Sequence, residues 1–350
     1  MVCIKSAKPG QVYIKTSVDR VFMRGVFVSQ SPENSIDQSA SVQAHPAILV
    51  QGLHKSFGQV HALNGVQLEV PLGSALGFIG PNGAGKTTLI KILLGITAPG
   101  KGVVKVLGSS PSDAKIRKEI GYLPERLVLP RHLSPTRFLK QIAALKGVPA
   151  NQIDQEIELR LNQVKLEPEA WKRKCVGFSK GMRQRTGLAA ALIGNPKLLI
   201  LDEPTDGIDP IGRSQIREVI QECTRAGTTV FLNSHLLHET ERICDRVAVI
   251  HQGQITLQGA IHDLRSSDQY SVRFENQSDL INLASAAGFQ LDPASTSESP
   301  LFVFQGNDAS ALSKAVHTVL GQGLILLEVT PKLKDLETVL REKVQEGHAS

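Results

Sequence analysis

The chain has 350 residues, of which 41% are hydrophobic, 21% are charged and 4% are aromatic, and its formal net charge is +6. These values are ordinary for a globular protein with a buried core, and the length allows two domains. Because no apolar run approaches the ~20 residues that a helix needs to cross a bilayer, and because stacking aromatics are scarce, we expect at most a peripheral membrane role and no nucleic-acid partner.

Residues 1–45 differ in pattern from the rest of the chain. They contain a polar cluster at 29–35 and show no sustained helical period. Their early lysines are not followed by the unbroken apolar core of a signal peptide. We predict a loosely ordered N-terminal extension, or a start codon placed too far upstream.

Residues 46–265 alternate between short apolar runs and helical patterns. The runs predict buried strands of a covered sheet at Ala75–Ile79, Leu198–Leu201, Thr229–Leu232 and Val247–Ile250. Ser134 and Pro135 predict a helix start. That helix carries Phe138, Ile142 and Leu145 on one face, and a second carries Ile153, Ile157, Leu161 and Val164. The pattern indicates an α/β domain with a helical subdomain at about 126–180.

Residues 266–350 predict a smaller accessory domain of the α+β type. Tyr270, Val272 and Phe274 alternate like a half-buried strand, and two further strands are predicted at Leu301–Phe304 and Leu324–Val329. A last helix is predicted to carry Leu333, Leu336, Val339, Leu340 and Val344.

A glycine-rich segment that begins at Gly80, directly after the strand predicted at Ala75–Ile79, matches the pattern GxxxxGK[ST] at every fixed position and precedes a plausible helix. Glycines let backbone N–H groups turn inward around an anion, and the helix N-terminus adds partial positive charge. Lys86 would reach the outer phosphates, and the Thr87 hydroxyl would bind Mg²⁺. The pattern predicts a nucleoside triphosphate site formed by Gly80, Pro81, Asn82, Gly83, Ala84, Gly85, Lys86, Thr87 and Thr88.

Two adjacent acids follow the apolar run at Leu198–Leu201. A buried strand that ends in carboxylates delivers them at the edge of the sheet. We predict that Asp202 holds Mg²⁺ and that Glu203 orients or deprotonates the attacking water.

Residues 178–185, Phe-Ser-Lys-Gly-Met-Arg-Gln-Arg, resemble the signature sequence of the ATP-binding cassette (ABC) ATPases, usually Leu-Ser-Gly-Gly-Gln. The resemblance implies a P-loop NTPase fold in which Ser179 and Gly181 contact the γ-phosphate of ATP bound to an opposite protomer. It further implies that Asp209 belongs to the loop that crosses the dimer interface and that His235 senses the γ-phosphate. Phe57 is similar to the aromatic residue that stacks on adenine, although an aromatic residue taken alone is more often part of a core.

Two departures from the usual family pattern are similar to a subclass of exporter ATPases. Glu125 stands where many relatives have a glutamine that binds Mg²⁺, and a carboxylate could still bind the metal. Lys180 and Met182 replace the usual Gly and Gln of the signature. The likeness implies an ATP-hydrolysing exporter subunit on the cytoplasmic face of the plasma membrane. Its partners would be a separate transmembrane permease and a second cassette, either another copy or a homologue.

An alternative remains open from the sequence: a soluble ABC ATPase that acts on a macromolecular complex rather than on a permease. Relatives that act in translation usually carry two cassettes in one chain, and this chain has one. A nucleotide sensor without hydrolysis is a second alternative, which the presence of Glu203 and His235 disfavours. The cargo of an exporter is not encoded in this chain's motifs.

Overall fold

The computed structural model of the chain describes residues 3–6, 11–15, 20–24, 45–275, 279–293, 295–296, 300–306 and 309–340. Near the N-terminus it shows an antiparallel sheet of β1 (Cys3–Ser6), β2 (Gln11–Lys15) and β3 (Arg20–Arg24). Residues 25–44 of the predicted extension lie outside the described residues, so its degree of order stays a prediction. From residue 45 onwards the described residues form two compact units, divided between 262 and 263. None of the described helices combines the length and hydrophobicity needed to cross a lipid bilayer.

The first unit mixes strands and helices. Its strands are β4 (Ile48–Phe57), β5 (Val60–Val70), β6 (Ala75–Ile79), β7 (Lys101–Val106), β8 (Ile120–Leu123), β9 (Leu198–Asp202), β10 (Thr229–Asn233), β11 (Arg246–His251) and β12 (Gln254–Ala260). Its helices are α1 (Lys86–Leu93), α2 (Pro135–Lys146), α3 (Ile153–Gln163), α4 (Lys180–Leu192), α5 (Pro210–Arg225) and α6 (Leu237–Ile243), and α7 (Ile261–Arg265) follows at the end of the unit.

The main sheet has the order β12-β11-β6-β10-β9-β8, in which β12 is antiparallel and the other strands are parallel. All residues of β6, β9 and β10 are buried. A sheet covered on both faces requires such continuous apolar runs. The four strands predicted from these runs are confirmed as β6, β9, β10 and β11. Because parallel strands end at the same edge, β6, β8, β9 and β10 bring their following loops together there.

A second sheet, β5-β4-β7, is antiparallel throughout and was not predicted from the sequence. Its strands β4 and β5 form a hairpin with a two-residue turn, and Phe57 pairs with Val60 at the tip. Phe57 is 53% exposed. It is therefore not a core residue.

The helical subdomain consists of α2, α3 and the connection to α4. Ser134 caps α2 as predicted, because its Oγ accepts a hydrogen bond from the backbone N–H of Arg137 at 3.4 Å. The predicted apolar face is partly wrong, since Leu139 and Ala143 form the buried face of α2 and Leu145 is 78% exposed. The four residues predicted for the second helix are all buried: Ile153, Ile157, Leu161 and Val164.

The second unit is a small α+β fold, as predicted. Its elements are β13 (Ser266–Phe274), α8 (Leu280–Ala286), β14 (Phe289–Leu291), β15 (Leu301–Gln305), α9 (Ala309–Gly321) and β16 (Leu326–Leu333). The sheet order β14-β15-β13-β16 with antiparallel neighbours is that of a βαββαβ, ferredoxin-like arrangement. Its core is built around Phe274, which has edge contacts with Phe289 and Phe302.

One helix boundary in this unit was predicted wrongly. Leu333 ends β16, where it pairs with Ser266, and the helical residues begin only at 336. Leu336 and Val339 are buried as expected, whereas Val344 lies outside the described residues. The strand extends beyond Pro331 because β16 is an edge strand, where a missing N–H donor is tolerated.

Candidate phosphate-binding site

The loop between β6 and α1 has a backbone that only glycine adopts readily at two positions. Gly83 has φ +82° and Gly85 has φ +108°. A Cβ at Gly85 would lie 2.4 Å from the backbone oxygen of Ala62. Helix α1 has no side-chain cap and no acidic residue in its first turn. Its N-terminus is therefore an electropositive end formed by backbone N–H groups, which suits an anion.

Lys86 is folded over this loop. Its Nζ donates hydrogen bonds to the backbone oxygens of Gly80 at 2.6 Å and Pro81 at 3.0 Å. Only 9% of the residue is exposed. The ammonium group is thus held at the loop, where phosphate oxygens could replace the two carbonyl acceptors.

Asp202, at the end of β9, is buried beside Asn233, at the end of β10. The sheet register places the two residues opposite each other, and Asn233 Nδ2 donates to Asp202 Oδ1 at 2.5 Å. Burial raises the pKa of Asp202, while the Asn233 hydrogen bond and nearby Lys86 lower it. Burial, and to a smaller extent the Asp202 carboxylate, raises the pKa of Tyr122 to about 12. A cation beside this carboxylate would offset its desolvation.

Glu203 follows Asp202 and adopts a left-handed backbone with φ +51°. Its Oε2 lies 2.9 Å from Nδ1 of His235, and its side chain is 12% exposed. The backbone N–H of Glu203 donates to the oxygen of Asn233 at 2.9 Å, which fixes the turn. Burial raises the pKa of Glu203, and the hydrogen bond from His235 lowers it. The raised pKa and the limited exposure suit a carboxylate that accepts a proton from water.

One cavity joins most of the predicted site residues. Phe57 does not line it, although its hairpin partner Val60 does. The carbonyls of Gly80 and Pro81 accept from Lys86, Ala84 is 4% exposed, and Asp202 lies beside the lining residue Asn233. The predicted residues that line the cavity are Asn82, Gly83, Gly85, Lys86, Thr87, Thr88, Glu125, Glu203 and His235.

Three more of the predicted residues do not line this cavity either, and they lie at the starts of two helices. Ser179 is the N-cap of α4, where its Oγ accepts from the backbone N–H of Met182 at 3.2 Å, and Gly181 is in the first turn. Asp209 is the N-cap of α5, where its carboxylate accepts from the N–H of Gly212 at 2.9 Å. That hydrogen bond is the main reason why the pKa of Asp209 is lowered. Among the described residues, these three are thus placed at helix starts and not in the lining of the cavity.

Sequence reasoning did not assign Asp206, Asn233 or the tip residues Val60 and His61 to the site, yet all four line the cavity. Asn233 carried a usable signal, because it follows an apolar run just as Asp202 does. No signal in the sequence marked Asp206, because its position depends on the conformation of the loop after β9.

The oxygen donors at the cavity fit Mg²⁺. Thr87 and Glu125 line the cavity, and Asp202 is close enough to Glu125 to accept a hydrogen bond from its backbone. Oδ1 of Asn233 is buried and has no hydrogen-bond donor among the described residues. A buried oxygen without a donor, next to carboxylates, suits a hydrated cation that prefers oxygen ligands.

A glycine-rich loop between the buried parallel strand β6 and helix α1, with acids at the end of β9 on the same edge of the sheet, defines a P-loop nucleotide-binding protein. Residues 63–206 match the family described as ABC transporter. A lantibiotic transport ATP-binding protein of Streptococcus pyogenes is 39% identical over 65% of this chain and 96% of its own length. The chain belongs to the ABC transporter ATP-binding protein family.

Other similar proteins carry related descriptions. An uncharacterised ABC transporter ATP-binding protein of Nostoc sp. is 43% identical over 62% of this chain and 66% of its own length, so the chain spans slightly less than two thirds of that relative. A Nod factor export ATP-binding protein of Rhizobium sp. is 38% identical over 62% of this chain and 72% of its own length. A solved structure of an ATP-binding subunit of an ABC transporter is 29% identical, covers 63% of this chain and 92% of its own chain, and has a TM-score of 0.58.

Proposed function

We propose that the chain binds ATP with Mg²⁺ and hydrolyses it as the motor subunit of an ABC exporter. The observation that carries this proposal is the pair of Glu203 and His235, 2.9 Å apart, in the same cavity as the phosphate loop and Lys86. A protein that only bound nucleotide would have no need of a desolvated carboxylate beside the phosphate loop.

The proposed roles follow from the chemistry of each group. Backbone N–H groups of the phosphate loop and Lys86 bind the phosphates, and Thr87, Asp202 and Glu125 would hold Mg²⁺. When bound, Mg²⁺ neutralises charge on the outer phosphates. Glu203 orients a water molecule and accepts its proton, while His235 keeps the carboxylate in place.

The positions of Ser179 and Asp209, which are exposed, and of Gly181, which is half-buried, support a two-cassette arrangement. N-terminal N–H groups of a helix bind anions, so the start of α4 could bind the terminal phosphate of ATP held by a second copy or a homologous cassette. Phe57, exposed at its hairpin tip, is available to stack on adenine. Closure of the two cassettes on ATP and their reopening after hydrolysis would drive transport.

Export and a permease partner are supported by the described functions of the relatives. The lantibiotic transport protein and the Nod factor export protein are ATP-binding proteins of transport systems. The helical subdomain exposes Leu145 and Leu159, with exposed fractions of 78% and 53%, and the loop that carries Glu125 exposes Val128, with an exposed fraction of 86%. We propose this subdomain, with the Glu125 loop, as the docking surface for a permease at the cytoplasmic face of the plasma membrane. Charge substitutions at Leu145 and Leu159 that left permease binding intact would contradict this assignment.

Two substitutions separate binding from hydrolysis. Lys86→Ala should weaken ATP binding, because the loop loses its ammonium group. Glu203→Gln should keep ATP binding and lower the rate of phosphate release by roughly 10²–10⁴-fold, the usual contribution of a general base. ATP binding is measured by equilibrium titration and hydrolysis by phosphate release. A Glu203→Gln variant that keeps most of its steady-state rate would refute the proposed role of Glu203.

A further inference from the structure

Positive charge is concentrated where the loop before α2 and the first turn of α2 meet the segment that leads from α3 to α4. The chain has 39 Lys and Arg residues against 33 Asp and Glu residues. Five exposed positive residues lie on these two stretches and are called here the basic surface: Arg131, Arg137, Lys172, Arg173 and Lys174. These five residues therefore account for most of the excess positive charge of the chain.

Hydrogen bonds hold the two stretches side by side. The backbone N–H of Cys175 donates to the oxygen of Leu133 at 2.9 Å. The backbone N–H and the Oγ1 of Thr136 both donate to the oxygen of Trp171, at 3.2 Å and 2.8 Å. Each residue of the basic surface is within two positions of one of these bonded residues. The five charges are therefore gathered on one part of the surface.

The basic surface has no carboxylate partner among the residues that the structure describes. The salt bridges that lysine and arginine form there all involve other residues. Arg173 lies over the ring of Phe178, with 5.3 Å between the guanidinium carbon and the ring centroid. Because like charges that stand close together repel, an anionic partner would relieve the repulsion within the basic surface.

Exposed apolar side chains belong to the same two stretches. Val176 comes directly after Cys175 and is 61% exposed, and Val128 lies three positions before Arg131 and is 86% exposed. Protein surfaces that bind at a membrane interface combine apolar side chains, which enter the headgroup region, with lysine and arginine around them. The combination therefore fits a lipid surface better than a small anion in solution, which would make no use of the valines.

We propose that the basic surface binds the anionic lipid headgroups of the membrane that contains the permease. This inference rests on the proposed function, in which the helical subdomain docks on a permease, and α2 carries both Arg137 and the proposed docking residue Leu145. An array of mobile headgroups fits unpaired cations on flexible side chains, whereas an acidic protein partner would need carboxylates at fixed positions. The lipid contact would hold the chain at the membrane and orient the subdomain towards the permease.

Binding of the full chain to lipid vesicles tests this proposal. The chain should sediment with vesicles of phosphatidylcholine and phosphatidylserine, and it should not sediment with vesicles of phosphatidylcholine alone. Each Lys or Arg near an anionic membrane surface contributes about 5-fold to the binding constant, so Arg131→Gln/Lys172→Gln/Lys174→Gln should bind about 100-fold more weakly. Added salt should weaken the binding of the wild type, because it screens the charges.

The matched control removes three exposed positive charges elsewhere in the same unit. Lys101 and Lys105 lie on β7, and Arg117 lies shortly before β8. The variant Lys101→Gln/Lys105→Gln/Arg117→Gln has the same net charge as the first variant, and it should bind the anionic vesicles as the wild type does. Val176→Ser should bind them about 3–10-fold more weakly, because it loses the burial of an apolar side chain. Attraction by charge alone would leave Val176→Ser unchanged and would contradict the lipid assignment.

Three other results would overturn the proposal. They are equal losses in the two triple variants, equal binding of the wild type to both kinds of vesicle, and binding of the wild type to polyglutamate but not to the anionic vesicles. The last result would assign the basic surface to an acidic protein segment. Phosphate release by the wild type keeps the proposed function separate. A wild type that releases no phosphate would refute the ATPase, whereas vesicle binding decides the role of the basic surface in either case.

Discussion

Replacement of Gly85 by alanine tests whether the phosphate loop depends on the close approach seen in the structure. An alanine at φ +108° costs about 1–2 kcal/mol, because the left-handed region is unfavourable for L-residues. Its Cβ would lie 2.4 Å from the oxygen of Ala62, where ordinary contacts begin at 3.4 Å, so the loop must move by about 1 Å. Overpacking of this kind adds about 1–3 kcal/mol. We expect a total loss of roughly 2–5 kcal/mol in the free energy of unfolding.

Gly83→Ala is the matched control, because Gly83 also has a positive φ but a Cβ there meets no atom of the described residues within 4 Å. It should lose only the strain of about 1–2 kcal/mol. Both variants are compared by urea unfolding without nucleotide, and Gly85→Ala is also tested for ATP binding. We expect weak ATP binding by Gly85→Ala, since the displaced loop no longer presents its N–H groups together. Equal stability losses in the two variants, or unchanged ATP affinity in Gly85→Ala, would refute the reasoning.

Two further predictions follow from groups with shifted pKa values. Burial raises the pKa of Glu203, and His235 lowers it. The hydrolysis rate should therefore fall on the acid side at a pH above the usual pKa range of a glutamate, and this fall should move to higher pH in His235→Ala. A fall that stayed at the same pH in the variant would contradict the pairing. Burial lowers the pKa of Lys146 to about 8, and its Nζ donates to the oxygen of Ile193 at 2.9 Å. Between about pH 8 and pH 10.5 the Lys146 amine keeps its proton in the unfolded chain but has lost it in the folded chain. The free energy of unfolding of the wild type should therefore rise with pH over this range relative to Lys146→Met. Equal pH profiles of the two proteins in urea unfolding would refute this.

The elements predicted well from the sequence are those in which a single physical demand sets the pattern. The strand predicted at Leu198–Leu201 is observed at Leu198–Asp202, because a strand covered on both faces must be apolar throughout. The strand and the helix that flank the glycine-rich loop are observed where the sequence predicted them, since the glycines, Lys86 and Thr87 of the loop follow a local pattern set by geometry and charge. Such demands act within a few residues and so remain visible in the sequence.

The elements that were missed depend on contacts between distant parts of the chain. The sheet β5-β4-β7 has register shifts near Leu53 and Lys55, which break the period-2 pattern that marks a half-buried strand. The fold of the second unit depends on the order in which four strands pair, which short apolar runs do not encode. Asp206 is defined by its ion pair with Lys180, 26 positions away in the sequence, and no local pattern indicates such a pair.

The central claim, that this ATPase energises a separate membrane permease, is tested most directly by isolating the Glu203→Gln variant from the membrane fraction. With ATP present, this variant should remain in the closed, ATP-bound state, because binding is kept and hydrolysis is lost. The account predicts that a single polytopic membrane protein co-purifies with it in stoichiometric amount. Recovery of the variant only from the soluble fraction, alone or with ribosomes, would contradict the account and favour an ABC ATPase that acts outside transport.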